Sequence, residues 1–435
     1  MEIQASEYHL MNCASKREFK DTGWLLSDPQ NTSPSLIRAV YNKKQIEIKD
    51  SSYGFYKYAD WLPIKRVLKN TFPPITYKSE NLAKELGLTN LYITFSGYWP
   101  KRGAYMHTCS FKETEAYSVC ARLPEESFKM INGKPKKTLV VASAGNTARA
   151  FAQVCSDNNI PLVIVIPYEN RSALWFKNPL NSCVKIICTP ANTDYFDAIA
   201  LASKLCQSED YLEEGGAKNI ARRDGMATTL LSATEFIGEL PDAYFQAIGS
   251  GTGTIAAHEA NLRLIEDGRF GNKIVKLYPS QNFPFAPMYE AWKAGSRALL
   301  EYDEAESRLN ALKIDAKVLS NRKPPYSIAG GLYDVLVASN GDIEIINNQE
   351  LEEASKLFEE LEEIDIHPAA AVAVYSLKKA IEKGKVSKND KIMLNITGGG
   401  EKLFKSQFNW LCIDPHLILD PGENVDEILK SVARI

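Results

Sequence analysis

The chain has 435 residues, of which 45% are hydrophobic and 24% charged, and its net charge at pH 7 is −3. These values are ordinary for a globular protein with a sizeable core, and they give no reason to expect binding to nucleic acid. No apolar run approaches the roughly 20 residues that a membrane span needs. The first residues lack a basic start followed by an apolar core, so we expect a cytoplasmic protein.

The eight cysteines are spread along the chain, and none forms a Cys-x-x-Cys pair. The five histidines do not cluster with the cysteines, so we predict no metal site. In a reducing compartment, most of these cysteines would act as small buried hydrophobic residues.

The first third of the chain is irregular before it becomes periodic. Residues 1–60 are polar with scattered aromatic side chains, and we expect an arm that wraps the main body. A helix-like stretch is predicted after Trp61-Leu-Pro, up to about Asn70, and a second helix from Ser79, as its cap, to Gly87. A strand at 91–95 then leads through a loop into a helix at 113–123.

From residue 138 onward, strands alternate with helices, which predicts parallel sheets in an α/β fold. The predicted strands are 138–142, 162–166, 184–188, 244–248 and 391–396. The predicted helices are 148–156, 194–206, a helix ending at Phe236, 255–265, 349–363 and 369–383. We expect residues 113–238 to form a smaller, mobile α/β domain, and residues 1–112 with 239–435 to form a larger one.

Lys112 lies at the start of a predicted helix, directly after Thr108-Cys-Ser-Phe. A partly desolvated lysine amine has a lowered pKa and is nucleophilic when neutral. It could hold a cofactor aldehyde as a Schiff base and, once released, act as the base at a substrate Cα. A lone lysine on a helix is usually a surface residue, so the catalytic hypothesis depends on three later turns.

Three small-residue turns follow predicted strands. The turn at 143–147 opens a helix, whose free N–H groups suit a substrate carboxylate, and Asn146 could donate to a cofactor phenolate. The glycine loop at 249–253 lets backbone amides approach a phosphate, and it lacks the ending of a nucleotide P-loop. Thr397 would bring a neutral hydroxyl to a pyridine nitrogen. The cofactor-binding candidates are Lys112, Asn146, Gly249, Ser250, Gly251, Thr252, Gly253 and Thr397, and the substrate-binding candidates on the 143–147 turn are Ser143, Ala144, Gly145 and Thr147.

Taken in order, Ser110-Phe-Lys, Ser143-Ala-Gly-Asn, Gly249-Ser-Gly-Thr-Gly and Thr397-Gly-Gly-Gly resemble the fold-type-II pyridoxal-phosphate enzymes of the tryptophan-synthase-β type. The resemblance covers most of the chain from about residue 61. It implies pyridoxal 5′-phosphate as the cofactor, in the cleft between two parallel-sheet α/β domains. It also implies a homodimer.

Within that family, Phe95-Ser-Gly-Tyr-Trp-Pro, Thr108-Cys-Ser-Phe-Lys-Glu and Pro324-Pro-Tyr-Ser resemble the cysteate-synthase branch. The resemblance implies β-replacement that converts O-phospho-L-serine and sulfite to L-cysteate and phosphate through an aminoacrylate intermediate. Threonine synthase, which acts on O-phosphohomoserine, and a cysteine-synthase-like replacement with sulfide are the alternative enzymes. A non-catalytic binding protein with this fold is the alternative from another class.

Both implied substrates are anions, so the site needs positive charge. Several basic residues lie in or beside predicted loops, and Lys101 and Arg322 are the favoured substrate ligands. The full set of candidates is Lys101, Arg102, Arg149, Arg222, Arg223, Arg322 and Lys323.

Overall fold

The structure, a computed structural model, describes residues 6–124, 127, 129–131, 134–322 and 324–435. Its helices are α1 Asn81–Glu85, α2 Lys112–Arg122, α3 Asn146–Asn158, α4 Tyr195–Leu205, α5 Ile220–Ile237, α6 Thr252–Asp267, α7 Pro287–Lys293, α8 Glu304–Lys313, α9 Leu332–Ser339, α10 Asn348–Glu362, α11 Pro368–Glu382, α12 Glu401–Gln407 and α13 Val425–Val432.

The strands are β1 Tyr8–Asn12, β2 Glu18–Phe19, β3 Ile37–Tyr41, β4 Ile75–Lys78, β5 Asn90–Phe95, β6 Tyr98–Trp99, β7 Ala104–Tyr105, β8 Met130–Ile131, β9 Lys134–Pro135, β10 Thr138–Ala142, β11 Leu162–Pro167, β12 Trp175–Phe176, β13 Val184–Thr189, β14 Tyr211–Glu213, β15 Ala243–Ala247, β16 Lys276–Asn282, β17 Glu344–Ile346, β18 Lys391–Ile396, β19 Leu411–Cys412 and β20 Leu417–Ile418. The alternation of strands and helices predicted from residue 138 onward is confirmed, and most boundaries move by one to three residues.

The larger sheet has six strands in the order β17-β16-β15-β18-β5-β4. All neighbours are parallel except β4, which pairs antiparallel with β5 at one edge. Every residue of β15 is buried, and so are five of the six residues of β18. Helices cover a parallel sheet on both faces, so its central strands read as continuous apolar runs rather than as an alternating pattern.

The smaller sheet has five parallel strands in the order β14-β10-β11-β13-β20. Four of them lie within the predicted smaller domain, but β20 comes from the C-terminal segment. Helix α13 follows β20, and its Ile428 and Val432 share a buried cluster with Leu201 and Leu205 of α4. The predicted domain boundary places residues 411–435 in the larger unit. In the structure, their strand β20 and helix α13 pack on the smaller sheet instead.

The N-terminal arm forms an antiparallel sheet in the order β2-β1-β3 and packs against α5 and α6. The Tyr41 hydroxyl donates to Asp224 on α5 at 2.7 Å. The helix predicted after Trp61-Leu-Pro, up to about Asn70, is wrong: a 3-10 segment ends at Trp61, Leu62 is extended with φ −122° and ψ 134°, and residues 63–70 are not helical. Leu62 precedes Pro63, and a following proline disfavours the helical conformation.

The two sheets present their carboxyl ends to one another. Strands β10, β15 and β18 lead into the turns at 143–147, 249–253 and 397–400. Ligands of open α/β sheets bind at the carboxyl ends of the strands, so the fold by itself directs attention to this cleft. Among the described helices, none has the length and apolar character required to cross a bilayer.

Candidate active site

A cavity of about 590 Å³ lies between the two sheets. It is lined by Lys112 together with every residue of the turns at 143–147 and 249–253, and by Thr397. Segments almost 300 residues apart in sequence therefore meet at one place, as the motifs predicted. The role of each residue as a ligand of cofactor or substrate remains a prediction.

Backbone hydrogen bonds tie the segment that precedes Lys112 to the larger sheet. The Phe111 N–H donates to the Thr397 carbonyl at 3.0 Å, and the Gly399 N–H donates to the Cys109 carbonyl at 3.1 Å. Cys109 adopts a left-handed φ of 54° and is fully buried, so its thiol packs inside the protein. These bonds place the first residue of α2, Lys112, beside the end of β18.

The Lys112 side chain is only 20% exposed, and its Nζ donates to Glu115 Oε2 at 3.1 Å. Burial lowers the pKa of Lys112, and the Glu115 carboxylate acts in the opposite direction. A nucleophilic lysine must be available in its neutral form, and desolvation provides this. Glu115 can reach the Lys112 amine because residues three positions apart lie on the same face of a helix.

Glu115 also joins Lys112 to a buried ion-pair chain. Arg222 Nη2 lies 3.4 Å from Glu115 Oε1, and the same guanidinium donates two hydrogen bonds of 2.8 Å to Glu214. Two cations thus alternate with two carboxylates along one wall of the cavity. A buried charge is tolerated when it is paired in this way, so Arg222 serves the local structure rather than offering a free charge to a ligand.

The turn at 143–147 is shaped by its own side chains. Ser143 Oγ accepts hydrogen bonds of 3.0 Å from the N–H groups of Gly145 and Ala148, which caps the start of α3. Asn146 Oδ1 accepts from Arg149 Nη2 at 3.1 Å, so the amide NH₂ of Asn146 remains to donate toward the cavity. Arg149 also donates to the Thr108 carbonyl at 2.9 Å, which links α3 to the segment that carries Lys112.

The three glycines of the loop at 249–253 stand where a side chain would not fit. A Cβ on Gly251 would lie 3.1 Å from Leu332, and one on Gly249 would lie 3.0 Å from the Val318 carbonyl. A Cβ on Gly253 would collide with the Gln246 side chain. The first N–H groups of α6 have no acceptor within the helix, so they are available to an anion. The loop therefore fits a phosphate group held by backbone amides.

The residues favoured for anion binding lie elsewhere. Lys101 is 73% exposed, pairs with Glu363 at 3.0 Å and does not line the cavity, so the structure removes it from the substrate ligands. Arg322 lines a side cavity of about 170 Å³ and pairs with Asp194 at 2.9 Å. Arg322 is thus next to the main cavity, with its charge already committed to a carboxylate.

The remaining basic candidates have structural contacts. Arg102 stacks over Tyr77 with its guanidinium carbon 4.2 Å from the ring centroid, and Arg223 pairs with Glu259 at 2.9 Å. Lys323 lies outside the described residues. Sequence reasoning missed Lys218, which lines the cavity just before α5. The signal was the Gly215-Gly-Ala-Lys segment, at which the regular alternation of strands and helices is interrupted.

The chain belongs to the pyridoxal-phosphate dependent enzymes, whose family model matches residues 73–398. It is therefore a pyridoxal 5′-phosphate enzyme, and the cavity is the place where Lys112 and the glycine loop meet. Within this family the chain is similar to proteins named cysteate synthase.

Three such relatives illustrate how far the similarity extends. The protein from Methanosarcina mazei is 49% identical over 91% of this chain and 93% of its own length. The protein from Methanoculleus marisnigri is 44% identical, with 96% and 94% covered. For Methanococcoides burtonii the identity is 42%, and 98% of each chain is covered. The predicted resemblance to the cysteate-synthase branch is confirmed.

Solved structures support the fold at much lower identity. Maize serine racemase matches with a TM-score of 0.56 at 14% identity, covering 77% of this chain and 91% of its own. Threonine deaminase isoform 2 from Solanum lycopersicum matches with a TM-score of 0.54 at 18% identity, covering 87% and 97%. The predicted fold class, two parallel-sheet α/β units of fold type II, is confirmed.

Proposed function

We propose that this protein replaces the phosphate of O-phospho-L-serine with sulfite and releases L-cysteate. The observation that carries the proposal is the 49% identity over 91% of the chain to a protein named cysteate synthase. The cavity supports it, because Lys112 and three small-residue turns line one space between the sheets. Among the described residues of the site, no feature favours threonine synthase or replacement with sulfide.

The residues of the cavity fit pyridoxal 5′-phosphate. The glycine loop at 249–253 would hold its phosphate through backbone amides, and Lys112 would hold its aldehyde carbon. Asn146 has an amide NH₂ available for the phenolate oxygen, because Arg149 occupies its carbonyl oxygen. Thr397 would face the ring nitrogen with a neutral hydroxyl. When bound, the cofactor supplies an electron sink that acidifies the Cα proton and lets a Cβ substituent leave.

Lys112 is the base of the proposed reaction. Its amine would take the proton from Cα of the amino-acid substrate, and burial keeps the pKa of that amine lowered for the task. Glu115 would hold the amine in place before and after the transfer, since Nζ lies 3.1 Å from its carboxylate. The charge of Glu115 is balanced on its other side by Arg222.

The substrate carboxylate would bind at the turn 143–147. The start of α3 offers backbone N–H groups and the positive end of the helix dipole to an anion. The Ser143 hydroxyl already accepts two backbone N–H groups, so its own proton can be donated to that carboxylate. The Thr147 hydroxyl lines the same part of the cavity. Cα of the substrate would then lie between this turn and Lys112.

Product analysis tests the proposal. The holoenzyme is mixed with O-phosphoserine and sulfite, and parallel samples contain O-phosphohomoserine alone or O-phosphoserine with sulfide. We expect cysteate and phosphate in equal amounts from the first mixture, and none from the Lys112→Ala variant. Threonine from the second mixture, with no cysteate from the first, would contradict the proposal while leaving the fold and the cofactor unchanged.

Two further points belong to the proposal. We infer that the smaller α/β unit moves relative to the larger one when substrate binds, because the cavity lies between their sheets. We also infer the homodimer implied by the family resemblance. Small-angle scattering with and without O-phosphoserine tests the first inference, and the molar mass from light scattering tests the second.

A further inference from the structure

Among the residues that the structure describes, three lysine and arginine side chains line the cavity: Lys112, Lys218 and Arg222. Lys112 is paired with Glu115, and Arg222 is paired with both Glu115 and Glu214. Lys218 is exposed and forms no ion pair with any carboxylate of the described residues. It is therefore the lining cation whose charge is available to a ligand.

The backbone that carries Lys218 is held firmly on both sides. The Gly216 N–H donates to Glu214 Oε2 at 3.0 Å, and the Lys218 N–H donates to the Gly215 carbonyl at 3.1 Å. The next residue, Asn219, caps α5 by accepting from the Ala221 N–H at 3.0 Å. Gly215 has a φ of 89°, and a Cβ there would run into Leu26, so this tight turn requires glycine.

The surroundings of the turn favour an anion as the partner of Lys218. Glu213 also lines the cavity, but it forms no ion pair with Lys218 within the described chain, and Glu214 is bonded to Arg222 and to the Gly216 N–H. Glu115 and Glu214 thus neutralise Lys112 and Arg222, whereas Lys218 forms no ion pair among the described residues. A compact ammonium group at the rim of a cavity binds an oxyanion as a point charge.

We propose that Lys218 is the substrate-anion ligand of this site. This inference rests on the proposed function, in which the phosphate group of the substrate and the incoming sulfite are the two oxyanions. Either of them offers the chemistry that an unpaired ammonium recognises. Because the turn holds the backbone of Lys218, only its side chain would have to move to reach the oxyanion.

The first test measures binding without turnover. Holoenzyme is titrated calorimetrically with inorganic phosphate, in the wild type and in Lys218→Ala, Lys218→Arg and Lys101→Ala. We expect the dissociation constant for phosphate to rise about tenfold to one-hundredfold in Lys218→Ala, as for the loss of a hydrogen bond to a charged group. Lys218→Arg should recover most of the affinity. Lys101→Ala should bind phosphate like the wild type, because Lys101 lies outside the cavity.

The second test separates the two oxyanions by steady-state kinetics. A KM that rises about tenfold or more for O-phosphoserine alone assigns Lys218 to the phosphate group, and the same rise for sulfite alone assigns it to the nucleophile. The visible absorbance of the bound cofactor should be the same in all variants. Unchanged KM values and phosphate affinity in Lys218→Ala, or their loss in Lys101→Ala, would overturn the inference. A wild type that makes no cysteate would refute the proposed function, whereas the phosphate titration would still report on Lys218.

Discussion

The two sheets hold the segment that carries Lys112 by different means. On the larger sheet, the contacts are backbone hydrogen bonds between residues 109–111 and 397–399, and three of the five residues in the neighbouring loop at 249–253 are glycines. On the smaller sheet, the contacts are side chains: Arg149 donates to the Thr108 carbonyl, and Ser143 shapes its own turn. One side is fixed by the fold, and the other depends on individual residues.

The difference matches what each side has to do. A phosphate that stays bound through the catalytic cycle is best held by fixed backbone amides, which need no reorganisation. A substrate that must enter and leave is better served by side chains, which adjust at small cost. Substitutions on the larger sheet should therefore weaken binding of the cofactor, and substitutions on the smaller sheet should weaken binding of the substrate.

The largest expected effect comes from the glycine loop. Gly251→Ala places a Cβ 3.1 Å from Leu332 at a φ of 77°, which displaces the amides that face the phosphate. We expect the affinity for pyridoxal 5′-phosphate to fall about one-hundredfold, or about 3 kcal/mol, when the apoprotein is titrated and visible absorbance is followed.

The matched control lies at the other end of the same helix. Gly268 ends α6 with a φ of 79°, and no atom lies within 4 Å of a Cβ built there. Gly268→Ala therefore introduces the same kind of backbone strain, about 1 kcal/mol, without reaching the cavity. Equal loss of cofactor affinity in both variants would show that strain, rather than the shape of the loop, is responsible.

The second effect depends on pH and concerns Glu113. Its carboxylate accepts the Thr108 N–H at 2.5 Å, and burial raises its pKa from 4.5 to about 7. Between these values the folded state keeps a proton that the unfolded state releases, so the free energy of unfolding falls as pH rises. The full loss, about 3 kcal/mol, is present above the folded-state pKa.

Glu113→Gln removes this titration. We expect the difference in free energy of unfolding between Glu113→Gln and the wild type to shift in favour of the variant by about 3 kcal/mol from about pH 5 to about pH 8. Urea denaturation at the two pH values measures this shift. Glu360→Gln, on the exposed side of α10, should follow the wild type at both pH values. If the stability of Glu113→Gln depended on pH as steeply as that of the wild type, Glu113 would not be the cause of the pH dependence.

The smallest effect is expected on the smaller sheet. Ser143→Ala removes the acceptor for two N–H groups and should lower stability by about 1 kcal/mol, while KM for O-phosphoserine rises several-fold. Asn424→Ala removes a comparable cap from α13, where Asn424 accepts from the Asp426 N–H at 2.8 Å. That control should show a similar loss in thermal denaturation and an unchanged KM. A rise in KM in both variants would contradict the assignment of the turn.

Much of the fold was predictable because its signals are local. The strands at 138–142 and 391–396 are found with the predicted bounds, since β-branched or apolar runs before small-residue turns are typical of parallel sheets. The four motifs meet in one cavity because the carboxyl ends of strands point to the same cleft. These features depend on the order in which strands and turns follow one another, and that order can be read from the sequence.

The failures concern contacts between distant segments. The position of Lys101 in a predicted loop makes it a candidate, but its partner Glu363 lies 262 residues away and outside the cavity. The two-residue strand β20 shows no periodicity that could assign it to the smaller sheet. Lys218 was missed because a single lysine after two glycines is uninformative until its neighbours are known to be paired with other groups. Whether a lysine is free to bind an anion depends on which carboxylates lie beside it in the folded protein.

The most direct test of the central claim is to locate the cofactor on the chain. Borohydride reduction of the holoenzyme fixes pyridoxal phosphate to the lysine that holds it, and peptide mass spectrometry then identifies that residue. We predict a single modified peptide containing Lys112, and no modification in Lys112→Ala. A modification on Lys218 or on any other lysine would contradict the assignment of Lys112, and with it the proposed roles of the two turns.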